Sequence, residues 1–206
     1  MSEAWADMHT HSLASDGTEA PAAVVARAAA QGCSALALTD HDTVAGVPEA
    51  RRAAEEDGLR FLTGVEISAH DGKVEVHILG FGFDPEAPAL LAVLDTIQQG
   101  RFERARTILA KLRHAGLNFP FAIPGLEDGG SGVPTRLHIA RAIAAWGVAK
   151  DAQDAFEKWL NPGRPAWVPK VSAGVAETVA ALQAAGGVAF LAHPALNKTL
   201  RQRVPA

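Results

Sequence analysis

Short apolar runs that stop at, or are broken by, a histidine or a carboxylate recur along this chain, and they restrict what it can fold into. Ala35-Leu36-Ala37-Leu38 leads into Thr39-Asp40-His41-Asp42, Glu66 lies in the run 61–67, His77 interrupts 74–81, and His193 closes Val188-Ala189-Phe190-Leu191-Ala192. Runs of this length with so few polar residues read as strands buried on both faces. Ala6-Asp7-Met8-His9-Thr10-His11 reads as a further short strand that ends in a polar loop. Helix-like pieces separate the first of these. Pro21 opens an Ala-rich segment reaching about residue 31, with Gly32 in position to stop it, and a second helix is expected from about 44 to 57 ahead of Gly58. Apolar strands alternating with helices predict a parallel sheet, either doubly wound or barrel.

Past Asp84-Pro85 the pattern changes. Residues 90–114 form one long amphipathic stretch, with Leu91, Leu94, Phe102, Ala105, Leu109 and Leu112 near helical spacing. Arg101, Arg104, Arg106, Lys111 and Arg113 occupy its other side, read as a solvated face. The Gly/Pro-rich segment 124–134 lacks the Gly-Lys-Ser/Thr ending of a phosphate-cradling loop and reads as a linker to helices near 136–146 and 152–160. No strand is expected from 85 to 166. That span is therefore expected to be a helical insertion capping a site, and 1–84 with 167–206 a discontinuous α/β part. A helix at 172–185 and a strand at 187–193 complete the expectation.

Charge and cysteine use exclude several classes. The net charge is −4 and the basic residues form no long run, which argues against a duplex-DNA footprint. A small phosphorylated substrate stays open, because a bound metal reverses the local sign of a carboxylate-rich pocket. Cys33 is the single cysteine, so no intrachain disulfide forms, and it reads as a small buried residue at a helix-to-strand turn. The N-terminus turns polar within a few residues, and no segment has the length of an apolar membrane span. A cytoplasmic protein without membrane partners is expected.

His9-Thr10-His11 is the first chemical signal, since residues two apart in a strand project from one face and both imidazoles can reach one point. Asp16 follows in the adjoining loop. With His41, Glu66, His77 and His193 these make seven ligand-type residues within, at the end of, or just after expected strands. Parallel α/β barrels build active sites at that edge. A histidine at a strand end can simply cap a carbonyl, and a glutamate can pair with an arginine; seven residues in matching topology argue for a shared site instead. His70 sits beside Asp71-Gly72 in an expected turn and reads as solvated, and His114 closes the long helix, where positive charge is favourable.

Asp7-Met8-His9-Thr10-His11-Ser12, Ser15-Asp16-Gly17, Leu38-Thr39-Asp40-His41-Asp42, Gly64-Val65-Glu66-Ile67-Ser68, His77-Ile78-Leu79-Gly80 and Ala192-His193-Pro194 together resemble the motifs of the PHP (polymerase and histidinol phosphatase) family. Its stand-alone metal-dependent phosphoesterases look most similar; they include nucleoside 3′,5′-bisphosphate phosphatases that also trim short RNA from the 5′ end. The resemblance covers nearly the whole chain. It implies a distorted (β/α)7 barrel and two or three divalent ions. His9, His11 and Glu66 would serve one ion, Asp16 and His41 a second, and a bridging Glu66 with His77 and His193 a third. The mixed nitrogen and oxygen donors suit manganese, zinc or iron and admit magnesium. Arg136 and Lys170, with His138 behind them, are implied as phosphate-binding and catalytic residues.

The resemblance also implies a later Asp and His in a Ser-Asp-x-His-like segment, whereas this sequence ends at Ala206. Outside the insertion about 125 residues and five strands remain, against ~200 or more residues for a closed α/β barrel. The C-terminal strands are accordingly expected to be missing from this chain, with fewer metals bound, slow or absent turnover, and an exposed sheet edge. The expected reaction is hydrolysis of a phosphate monoester by metal-activated water, on a nucleotide or a short RNA end. Two rivals stand beside it. An amidohydrolase-like enzyme also begins with His-x-His but wants a metal-bridging lysine where Glu66 stands. A truncated, non-catalytic metal- or phosphate-binding module is the other.

Overall fold

A computed structural model describes residues 4–126 and 132–196. The chain divides into two compact units, one running to Ile97 and resuming at Ser172, the other spanning Gln98–Val171. In the first, β1 (Ala6–Thr10), α1 (Pro21–Ala30), β2 (Ala35–Leu38), α2 (Val47–Glu56) and β3 (Arg60–Asp71) alternate as expected. β1 pairs parallel to β2, and β2 parallel to β3. Val24, Val25 and Ala28 of α1 and Ala50 and Ala54 of α2 bury against Leu36 and Leu38 of β2, with Cys33 in the same cluster.

The expectation of a parallel sheet fails at β4 (Val74–Phe81), which pairs antiparallel to β3 over its whole length. Only residues 72 and 73 connect the two strands. A link that short cannot make the crossover a parallel neighbour needs, whereas Gly72, at φ 58°, supplies the positive φ of a tight hairpin. β3 also runs on to Asp71, so Glu66 lies in mid-strand and not at a strand end. His70 is part of that strand, half-buried with its Nδ1 3.2 Å from the Ser172 hydroxyl, and not a solvated turn residue. The short β5 (Ala173–Gly174) pairs parallel to β3, and β6 (Val188–Leu191) pairs antiparallel to β4. The sheet path is thus β1-β2-β3-β4-β6.

Val65, Ile67 and Ala69 of β3 and Val76 and Ile78 of β4 enter one apolar core. It also takes in Leu182 of α6 (Val175–Ala184) and Leu90, Val93, Leu94 and Ile97 from the start of α3 (Pro88–His114). The first turns of α3 are buried here, and the two compact units meet in sequence inside that helix, between Ile97 and Gln98. Strand alternation then turns Glu66, Ser68 and His77 to the other face of the hairpin.

The second unit packs Ile108, Leu109 and Leu112 of α3 against Phe121, Ile123 and the Ile139 and Ile143 side chains of α4 (Arg136–Ala145). α5 (Ala152–Ala155) and a π-helical turn at Phe156–Leu160 follow, with no strand among its described residues. The cationic face of α3 is only partly solvated. Arg104 donates from Nε and Nη2 to the Val168 carbonyl at 3.0 and 2.8 Å, and Lys111 Nζ donates to that of Trp167 at 2.8 Å. No helix among the described residues is long and apolar enough to cross a membrane.

Candidate metal centre

Glu66 is the hub of the site. Its side chain is 1% exposed, and ring nitrogens approach both carboxylate oxygens. His9 Nε2 and His11 Nε2 lie 2.8 and 3.1 Å from Oε2, with His41 Nδ1 at 3.6 Å. His77 Nδ1 and His193 Nε2 lie 2.7 and 2.8 Å from Oε1. The five imidazoles close a ring around it. Successive centroids along His9, His11, His41, His77, His193 and back to His9 are 5.1, 4.7, 5.0, 5.2 and 5.8 Å apart. Asp16 stands to one side, with Oδ1 3.6 Å from His11 Nδ1 and Oδ2 3.8 Å from His41 Nε2.

Each member arrives by a different route. His9 sits in β1, and His11 follows its end. His41 follows β2 and makes a parallel bridge to Glu66, the Asp42 amide donating to the Glu66 carbonyl at 2.9 Å. His77 comes from the middle of antiparallel β4, opposite Ser68, and not from a C-terminal strand edge. His193 lies two residues past β6 at φ 29°, and the Ala192 amide is tied to the His77 carbonyl at 2.9 Å.

Two aspartates with no role in the sequence reading hold this geometry. Asp40, 2% exposed, accepts from the Ser12 amide, the Ser12 hydroxyl and the Ser15 hydroxyl, all at 2.7 Å, and so fixes the loop carrying His11 and Asp16. Asp42, fully buried at φ 54°, accepts from the Ser68 amide at 2.5 Å and hydroxyl at 2.8 Å, locking the His41 turn to β3. The signal for both was the Asp-His-Asp sequence itself, whose two carboxylates directly follow a buried strand.

The donor chemistry fits metal ions. Ligand atoms bonded at about 2.1 Å to one ion lie roughly 3–3.5 Å apart. Three sets, His9–His11–Glu66, His11–Asp16–His41 and His41–Glu66–His77, each bring their ligand atoms within 4.8 Å of one another. The electrostatics point the same way. Burial alone would push the Glu66 carboxyl up, but hydrogen bonds from His11, His77 and His9 and the charge of His41 hold it well below the usual carboxylate range. Burial likewise opposes protonation of His11, yet its hydrogen bond with Glu66 and the charges of Glu66, Asp16 and Asp40 raise it above 6.5. A buried anion that draws a proton onto His11 is in an environment that favours a cation.

A protein-family model described as the PHP domain matches residues 7–119, a span that carries six of the seven converging side chains. This chain belongs to the PHP domain family. Among relatives, a 3′,5′-nucleoside bisphosphate phosphatase of Chromobacterium violaceum is 42% identical over 96% of this chain and 70% of its own length. A 5′-3′ exoribonuclease of Haemophilus influenzae is 41% identical over 91% of this chain and 68% of its own. A solved structure from Bifidobacterium adolescentis, described as a candidate metal-dependent phosphoesterase, superposes with TM-score 0.83 at 34% identity over 93% of this chain and 67% of that one. Another, described as an amidohydrolase from Chromobacterium violaceum with bound sulfate and no metal, gives TM-score 0.87 at 41% identity over 97% and 72%. The PHP chain described here is a hydrolase, a metal-dependent phosphoesterase.

Arg136, His138 and Lys170 belong to the second unit. Arg136 opens α4, with Nη1 3.4 Å from the Leu160 carbonyl and its guanidinium 5.4 Å from the Phe156 ring centre. With Arg101, Arg104 and Thr135 it lines a small pocket. His138 completes the N-terminal cap of α4. Its Nδ1 accepts from the Thr135 amide at 3.2 Å, and its own amide donates to the Thr135 hydroxyl at 3.4 Å. Lys170 is half-buried.

Proposed function

We propose that this centre hydrolyses a phosphate monoester of a nucleotide, either a nucleoside 3′,5′-bisphosphate or the end of a short oligoribonucleotide. The observation that carries the reading is one buried carboxylate, Glu66, shared by a closed ring of five imidazoles. Such a carboxylate suits a bridging ligand of a multinuclear site, and a lone ion would leave several of the rings unused. His9, His11 and Glu66 would hold one ion, Asp16 and His41 a second, with His11 also in reach, and Glu66, His77 and His193 a third. Bound ions supply Lewis acidity and activate water at neutral pH.

The chain's own residues do the rest. Glu66 and Asp16 neutralise the cations, and Asp40 and Asp42 keep the His11 loop and the His41 turn in place. Arg136 and Lys170 hold non-reacting phosphate oxygens, and His138 sets the start of the helix that presents Arg136. For Arg136 the support is its place in a pocket that also presents Arg101 and Arg104. Names of relatives, a bisphosphate phosphatase and an exoribonuclease, point to the same substrate class.

The test is phosphate release from a panel of nucleoside 3′,5′-bisphosphates, 5′-phosphorylated short RNA and simple phosphoesters, with manganese, zinc, iron or magnesium supplied. Metal uptake with no phosphate released from any of them would make the chain a binding module and overturn the proposal. Cleavage of amide or lactone substrates instead would favour the amidohydrolase reading, which Glu66 in place of a bridging lysine argues against.

A further inference from the structure

The second unit carries a surface that the metal-centre reading does not use. Trp146 follows α4 directly, and it is 55% exposed. An indole left that open forfeits a large apolar burial unless something covers it. It is nevertheless held in place. Phe119 stacks on it, ring centres 5.2 Å apart and planes 17° from parallel, and Phe119 in turn contacts Phe121, which is fully buried in the core of the unit. The indole is thus backed by an aromatic ladder rooted in the core. Trp146 also lines an open pocket whose other walls are Pro120, Ala122, Pro124, Ala142 and Ala145. Two further lining residues, His138 and Arg141, bring imidazole and guanidinium to it, and no carboxylate lines it among the described residues.

A flat aromatic platform, small apolar walls and the Arg141 guanidinium match one ligand chemistry: a base with its phosphate. Every nucleobase has a π-face, so stacking on tryptophan tolerates any sequence, while arginine meets the backbone. An enclosed pocket with several fixed polar groups would suit reading one particular nucleotide. This one is open and largely apolar, which suits a strand that continues past the platform.

We infer that the Trp146 pocket of the second unit binds a base of single-stranded RNA. The inference rests on the nucleotide reading of the metal centre, and the experiment separates the two. The affinity of the 206-residue chain for a 3′-fluorescein pentaribonucleotide with hydrolysis-resistant phosphorothioate linkages is measured by anisotropy at two salt concentrations. Hydrolysis of a nucleoside 3′,5′-bisphosphate is measured beside it. Trp146→Ala should weaken pentanucleotide binding about tenfold, the scale of one lost base stack. Trp146→Phe should restore most of it. Arg141→Gln should weaken binding and reduce its salt dependence. Bisphosphate kcat/KM should stay within about twofold in all three, which also reports that the variants fold. Unchanged pentanucleotide affinity in Trp146→Ala overturns the inference. So does an equal loss of bisphosphate hydrolysis, which would place the mononucleotide's own base there or unfold the unit. Wild-type chain that hydrolyses the bisphosphate but does not bind the pentanucleotide overturns the inference and leaves the metal-centre reading standing.

Discussion

Replacing Glu66 by glutamine would keep the shape of the site and remove its charge. Four ring nitrogens lie within 3.1 Å of that carboxylate, and the amide can offer only one acceptor oxygen to them. Metal affinity should fall by more than the roughly 10–100-fold typical of losing an outer-sphere partner, with phosphate release falling alongside. Elemental analysis of the purified variant checks this, and a full metal complement in Glu66→Gln would remove Glu66 from its proposed bridging role. Asp40 tests a different link, from buried hydrogen bonds to loop geometry. Asp40→Ala strips three 2.7 Å acceptor contacts from Ser12 and Ser15. It should cost about 3 kcal/mol in urea denaturation, because a buried amide and two hydroxyls lose a charged partner. A loss below ~1 kcal/mol would mean that water replaces the carboxylate there.

At the scale of elements, two glycines separate packing from backbone conformation. A Cβ on Gly64 would lie 2.6 Å from the Leu38 carbonyl oxygen and 2.8 Å from Thr39 Cγ2. Backbone of a parallel neighbour does not give way easily, so Gly64→Ala should part β2 from β3 just before His41 and Glu66. About 2 kcal/mol of stability should go, and metal affinity with it. Gly72→Ala meets open space, yet its φ is 58°. That change should cost about 1 kcal/mol and leave metal affinity alone. Denaturation curves and metal titrations on the pair decide the matter: equal metal affinities in the two variants would show that strand spacing does not control the site.

For the molecule as a whole, the centre couples folding to pH. The Glu66 carboxyl is held below its ordinary 4.5, so its contribution is present above that pH and lost as acid protonates it. His11 is raised above 6.5, so its contribution is present below 6.5 and lost as pH climbs through the raised value. The metal-free chain should therefore be most stable between about pH 4.5 and 6.5. Metal ions compete with those same protons, so the stabilisation they add should grow as pH rises. Thermal unfolding with and without manganese or zinc at pH 5.5 and pH 8 tests both halves. A larger metal-induced rise in Tm at the lower pH would contradict the ligand assignment of His11.

Much of this was written in the chain's local pattern. Period-two spacing put His9 and His11 on one face, and apolar runs located β2, β3, β4 and β6 without knowledge of their neighbours; the burial on both faces expected of such runs fails at β6, where Val188, Phe190 and Leu191 are exposed. The Asp71-Gly72 turn was also visible in the sequence, but its consequence was not. That β4 runs antiparallel follows from a two-residue connection, and it brings His77 to Glu66 from the middle of a strand. The family resemblance groups His9, His11, His77 and His193 with Glu66, but the local pattern does not; only the tertiary structure brings His41 to the same carboxylate, because residues 9, 41, 66, 77 and 193 meet through strand register and loop ties between distant segments. It also decided the work of Asp40 and Asp42. A carboxylate's partners are set by what lies across the sheet, and Ser12, Ser15 and Ser68 come within reach of those two only once β1, β2 and β3 are paired.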